Sequence, residues 1–149
     1  DIFLLEKFQT AGLKTTFLKN ANAIVITNSQ PHLKALFMQR IRWAAKASAY
    51  AGFFPKAIGI SVFLVNLLIV AGLIFLAAGF EVKRYLFLTF LVKFNLDFVL
   101  IYRSAQFFGR ESSMKNYFWA SVVYPFFCCI VVFFSGFAGY HWKGRNFRK

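Results

Sequence analysis

Acidic side chains are scarce in this chain. Five Asp and Glu stand against 18 Lys and Arg, for a net charge of +13 over 149 residues. Cysteine is scarcer still. The two present, Cys128 and Cys129, are adjacent and lie inside an apolar run. Neighbouring cysteines rarely bridge each other, so a disulfide framework is excluded, and two buried thiols behave as small hydrophobes rather than as metal ligands. The two histidines, His32 and His141, are far apart in sequence and gather no ligand cluster. What the chain has in abundance is apolar surface: 59% of its residues are hydrophobic, 21% are aromatic, and 22 are Phe.

A soluble domain of this length has no interior large enough for that surface, so the excess faces lipid or a partner. Apolar runs of about twenty residues place the chain among integral membrane proteins. The basic residues gather at the ends of those runs. That placement fits anionic lipid headgroups and the positive-inside rule, and it argues against nucleic acid as a partner.

The chain opens at Asp1, without Met, a basic n-region or a cleavage site. Its first residues read as the middle of a domain, and the expectation is the C-terminal part of a longer protein. Over residues 1–31, Phe3, Leu4, Leu5 and Phe8 recur at helical spacing opposite Glu6, Lys7 and Gln9, and Gly12 stops that helix. Residues 15–18 and 23–27 predict short strands separated by turn residues at 20–22. A helix followed by two strands is the expected tail end of an α/β domain. Pro31 suits the first turn of the next helix. Residues 32–50 then form an amphipathic pattern, with Leu33, Leu36, Phe37, Ile41, Ala44 and Ala47 on one face and Gln39, Arg42 and Lys46 on the other. Such a helix is expected to lie in the bilayer interface.

Residues 51–140 hold three apolar segments, at about 57–80, 85–108 and 117–140. The first has no charge and is about 36 Å long as a helix. The second is interrupted by Lys93, Asn95, Asp97 and Arg103. Lys93 and Asp97 are four apart and can pair, which offsets a cost of roughly 2.5–3.5 kcal/mol per unpaired charge at mid-bilayer. This segment is the natural one to be re-entrant, so two or three full crossings are expected. The third contains Pro125, expected to kink it, and has Tyr117, Trp119, Tyr140 and Trp142 near its ends as interfacial anchors. Residues 141–149 are a basic tail.

Chemistry is concentrated at Gln39-Arg40-Ile41-Arg42-Trp43, just before the first span. Gln39, Arg42 and Trp43 stand at i, i+3 and i+4 and project to one side. Arg supplies a forked cation for phosphate, Gln an amide donor and acceptor, and Trp a flat platform for a sugar ring or base. Arg40 is directed into the apolar face and needs a carboxylate, a lipid phosphate or a route to water.

Gln39-x-x-Arg42-Trp43 resembles the Q-x-x-R-W motif of membrane-bound family 2 glycosyltransferases, which include processive polysaccharide synthases and ceramide glucosyltransferase-like enzymes. Ala23-Ile24-Val25-Ile26-Thr27 followed by Pro31 is similar to that family's strand and Thr-x-x-x-Pro approach to the motif helix. Trp142-Lys143-Gly144-Arg145 resembles the ending of several non-processive members. The resemblance implies a mainly α membrane protein made of the tail of an α/β GT-A domain, an amphipathic interface helix and two or three transmembrane helices. It implies transfer of a sugar, with inversion, from a nucleotide-sugar donor to a membrane lipid or glycan acceptor. Asp1 then stands where the family has its general base. Gln39, Arg40, Arg42 and Trp43 become the substrate-binding residues. A divalent metal, Mg or Mn, is expected from an Asp-x-Asp upstream, since no such pair occurs in these 149 residues and they bind none. The expected location is a bacterial plasma membrane with the catalytic side cytoplasmic. The chain by itself is expected to be inactive.

Two other classes fit the composition. A small transporter or channel subunit would line a path with Lys93, Asn95 and Asp97. A non-catalytic anchor would dock a partner on acidic lipid.

Overall fold

The computed structural model describes residues 2–47, 49–137, 140–142 and 145–147, the last two segments as backbone alone. Five helices dominate: α1 (Ile2–Thr10), α2 (Leu33–Ala47), α3 (Phe53–Ala77), α4 (Lys83–Phe107) and α5 (Tyr117–Phe137). Short 3-10 turns lie at Ala21–Ala23 and Glu111–Asn116, and an antiparallel hairpin of β1 (Tyr140–Trp142) and β2 (Arg145–Phe147) follows α5. Three stretches, Phe53–Ala77, Lys83–Phe107 and Glu111–Phe137, are long and apolar enough to cross a membrane. The chain is therefore a mainly α integral membrane protein.

The chain divides into two compact units: Asp1–Ile60 with Val131–Lys149, and Ser61–Ile130. In the first, the Glu6 carboxylate reaches the start of α3. Its Oε1 accepts from the backbone N–H of Ala51 at 2.9 Å and of Gly52 at 3.2 Å. Those donors have no helical partner, and the positive end of the helix dipole favours the anion. Phe3 packs beside Tyr50 with ring centres 5.5 Å apart. Ile41 of α2 is 2% exposed, Phe37 meets Phe134 edge-on at 5.9 Å, and β1 runs beside α2. The apolar face of α2 thus packs against protein at Phe37 and Ile41.

The second unit is built around the helical hairpin of α3 and α4. Gly79, with φ of 89°, closes α3 in a Schellman turn. Its N–H bonds Leu76, Phe80 N–H bonds Phe75, and the Phe75 and Phe80 rings meet across the turn at 5.6 Å. Gly72 lets the helices approach, because a Cβ there would stand 3.0 Å from Leu86 Cδ1. On α5, Ser121 and Pro125 turn inward and are buried. Tyr117 is buried as well, and its hydroxyl donates to the Phe94 carbonyl at 2.7 Å.

Several expectations need correction. Residues 15–18 and 23–27 form no strands. Asn20 accepts from Asn22 N–H at 2.9 Å and winds residues 21–23 into a 3-10 turn. A strand needs a neighbour for its N–H and C=O groups, and among the described residues no strand pairs with these; Val25 is left 84% exposed. Among the described residues before α2 there is thus a helix and a 3-10 turn but no strand. α2 starts at Leu33, beyond Pro31, and His32 caps it, its Nδ1 accepting from Ala35 N–H at 3.0 Å. The first span begins at Phe53 rather than 57, because Pro55 falls in the first turn, where its missing N–H costs nothing. α4 is one unbroken helix of 25 residues, about 37 Å long, with no break of the kind a re-entrant segment needs. Tyr117 is not an interfacial anchor but a buried donor. Part of the basic tail is the β1–β2 hairpin, in which Trp142 pairs with Arg145.

Candidate functional site

α2 carries the pentapeptide Gln39-Arg40-Ile41-Arg42-Trp43 across its middle. Ala, Leu, Lys, Gln and Arg supply most of this helix, all good helix formers. Burial of Ile41 sets its rotation, and the polar residues around it separate into two pairs. Gln39 and Arg42, three apart, are half-buried. Arg40 and Trp43, also three apart, are exposed, and the Arg40 guanidinium lies 4.7 Å from the centre of the Trp43 ring. Helical spacing alone groups Trp43 with Gln39 and Arg42 and sends Arg40 into the apolar face. The structure instead turns Arg40 outward onto Trp43, since a guanidinium without a carboxylate gains from the electron-rich face of an indole. At about 100° per residue the two pairs are centred about 100° apart, so they occupy adjoining faces of one helix.

This arrangement offers a planar cation with an amide at its side, and next to it a second cation stacked on a flat aromatic ring. The first pair can grip a phosphate by two parallel N–H···O bonds, and the second presents a surface for a ring-shaped group. Asp1, where the resemblance sets a base, lies outside the described residues. So do Lys143 and Gly144 of the tail motif.

Among the described residues no three His, Cys, Asp or Glu come together as a cation site. Glu6 is committed to the start of α3, and Asp97 to Lys93. Cys128 and Cys129 are free thiols on α5.

A second polar group lies in the unit of Ser61–Ile130. Lys93 is 8% exposed. Its Nζ meets Asp97 Oδ2 at 2.5 Å and stands 5.3 Å from the centre of the Tyr124 ring. Asn66 is 1% exposed; its Nδ2 donates to the Val62 carbonyl at 2.7 Å, and its buried Oδ1 has no protein donor. Asn66 lies six residues before Gly72, and Lys93 seven after Leu86. The close approach of Gly72 to Leu86 therefore puts both at a similar depth, each roughly 9–10 Å along its axis. The i, i+4 spacing reveals the Lys93–Asp97 pair in the sequence. Nothing local signals the Tyr117–Phe94 bond or the Glu6 contact.

No family model, curated protein or solved structure matches the chain.

Proposed function

We propose that this chain is the membrane-anchored end of an inverting glycosyltransferase that moves a sugar from a nucleotide-sugar donor to a lipid or glycan acceptor. The observation that carries the reading is Gln39-x-x-Arg42-Trp43 on a helix that ends six residues before the first membrane-length helix. In this reading Arg42 and Gln39 hold the diphosphate of the donor, and Arg40 with Trp43 borders the sugar and acceptor. The acceptor hydroxyl attacks the anomeric carbon while the bond from that carbon to the diphosphate oxygen breaks. The proton passes to a carboxylate, Asp1, and the nucleoside diphosphate leaves with the electron pair. The guanidinium acts by stabilising charge that grows on the leaving group. The GT-A domain, with its Asp-x-Asp and its Mg or Mn, belongs to the upstream part of the polypeptide. The basic residues on and around α2 favour the cytoplasmic side of a bacterial plasma membrane.

The transporter or channel reading depends on Lys93, Asn95 and Asp97 acting together. Lys93 and Asp97 are joined to each other inside the unit, whereas Asn95 is exposed on the opposite side of α4. That placement gives the path reading less support than the motif helix gives sugar transfer.

The test supplies membranes containing the intact polypeptide with a panel of labelled nucleotide sugars and follows label into the lipid and glycan fractions. Label should enter one of those fractions with one donor, and Gln39→Ala and Trp43→Ala should each slow it. Equal incorporation by both variants, at equal membrane content, would leave only an anchor.

A further inference from the structure

Along α4, Leu88, Val92, Asn95, Val99, Tyr102 and Gln106 are all exposed. Their spacing is four, three, four, three and four residues, the seam on which two helices mesh knobs into holes. At about 100° per residue the seam is centred opposite Lys93, so it is the outer side of a helix whose inner side is already occupied.

Asn95 is the unusual member. It is the thirteenth of the 25 residues of α4, close to mid-membrane, with its carboxamide facing out. One amide hydrogen is used on the Leu91 carbonyl at 2.7 Å. The second hydrogen and the carbonyl Oδ1 remain for a neighbour, and hydrocarbon offers them nothing.

We propose that this face is a self-association surface, on which two copies of the chain pair α4 against α4 in parallel with Asn95 opposite Asn95. The inference stands apart from the sugar-transfer reading. The occupant follows from complementarity. A twofold axis along the membrane normal sets each seam residue against its own copy. A carboxamide is both donor and acceptor, so it is its own complement. Gln106 and the Tyr102 hydroxyl share that property, and the remaining seam residues are aliphatic. No charge in the seam meets its like. Arg103 borders the seam near the end of α4, where its long stem carries the cation to water. Asn95 at mid-helix also fixes register, because a slip by one seam position leaves both amides against aliphatic side chains.

The test uses the full chain in lipid vesicles with Cys128→Ser and Cys129→Ser as background. Single cysteines go in the seam as Leu88→Cys or Val99→Cys, and on exposed flanks as Phe87→Cys or Leu100→Cys. Mild oxidation should yield a product of twice the chain mass from the seam positions and little from the flanks. Energy transfer between donor- and acceptor-labelled copies, followed on dilution with lipid, should show Asn95→Leu weakening association about three- to thirty-fold, the range expected for hydrogen bonds between membrane helices. Asn95→Gln should keep most of the association. The proposal is overturned by equal cross-linking at seam and flank, by a product of any other mass, or by Asn95→Leu associating as the parent does.

Discussion

The Arg40 guanidinium rests 4.7 Å from the centre of the Trp43 ring, on the exposed side of α2. An exposed contact of this kind contributes about 0.5–1 kcal/mol. Trp43→Leu should therefore lower unfolding stability by no more than that, measured by denaturant titration in detergent micelles. If the ring also borders a sugar, transfer should fall well beyond what this small destabilisation explains. Arg40→Lys keeps the charge and loses the planar fork, and should reduce transfer less than Trp43→Leu.

Glu6 joins α1 to the start of α3 through two backbone N–H groups. Glu6→Ala leaves Ala51 and Gly52 without their acceptor and should cost about 1 kcal/mol, as loss of a helix cap does. Glu6→Gln retains an acceptor oxygen without its charge and should cost less. Thermal unfolding of the two variants side by side checks the order.

The Lys93–Asp97 pair makes α4 acceptable to a membrane. Asp97→Leu strands a buried ammonium, at a cost of roughly 2.5–3.5 kcal/mol for a charge at mid-bilayer, and should lower the fraction of chains in which α4 crosses. Adding Lys93→Leu to that variant should restore crossing to the parent level or above it, because no ion is left to desolvate. Protease protection of tags placed on either side of α4 reports the fraction directly.

Tyr117 combines a buried hydrogen bond with ring contacts to Phe94 at 4.9 Å and Phe98 at 5.4 Å. Tyr117→Phe removes only the hydroxyl and should cost about 1 kcal/mol. Tyr117→Ala also leaves a cavity and should cost about 3–5 kcal/mol, as for other large aromatic truncations. Unfolding in detergent separates the two contributions.

The three membrane helices are legible in the sequence because a long, mostly apolar run has one stable conformation in hydrocarbon, even where Lys93 and Asp97 interrupt the second. The end of α1 is legible because Gly12, with φ of 73°, stops it, whereas the end of α3 at Gly79 is not read from the sequence. Lys93 and Asp97 are legible because four residues along a helix bring side chains together. What depends on distant partners is not. Glu6 and Gly52 are 46 residues apart, and nothing near either announces the contact. Val25 and Ile26 have the composition of a strand, but pairing decides strands, and among the described residues none pairs with them. The five residues of the motif are visible as a pattern. Their division into Gln39 with Arg42 and Arg40 with Trp43 follows from the burial of Ile41, which only the packed structure shows.

Arg42 bears most directly on the central claim. The decisive measurement is the rate of sugar transfer by the intact polypeptide carrying Arg42→Ala, at saturating acceptor and with wild-type membrane content. A cation that stabilises charge on the leaving diphosphate should be worth on the order of 100- to 1,000-fold in that rate, as other preorganised charge-stabilising donors are. Transfer within about threefold of the wild type would contradict the account.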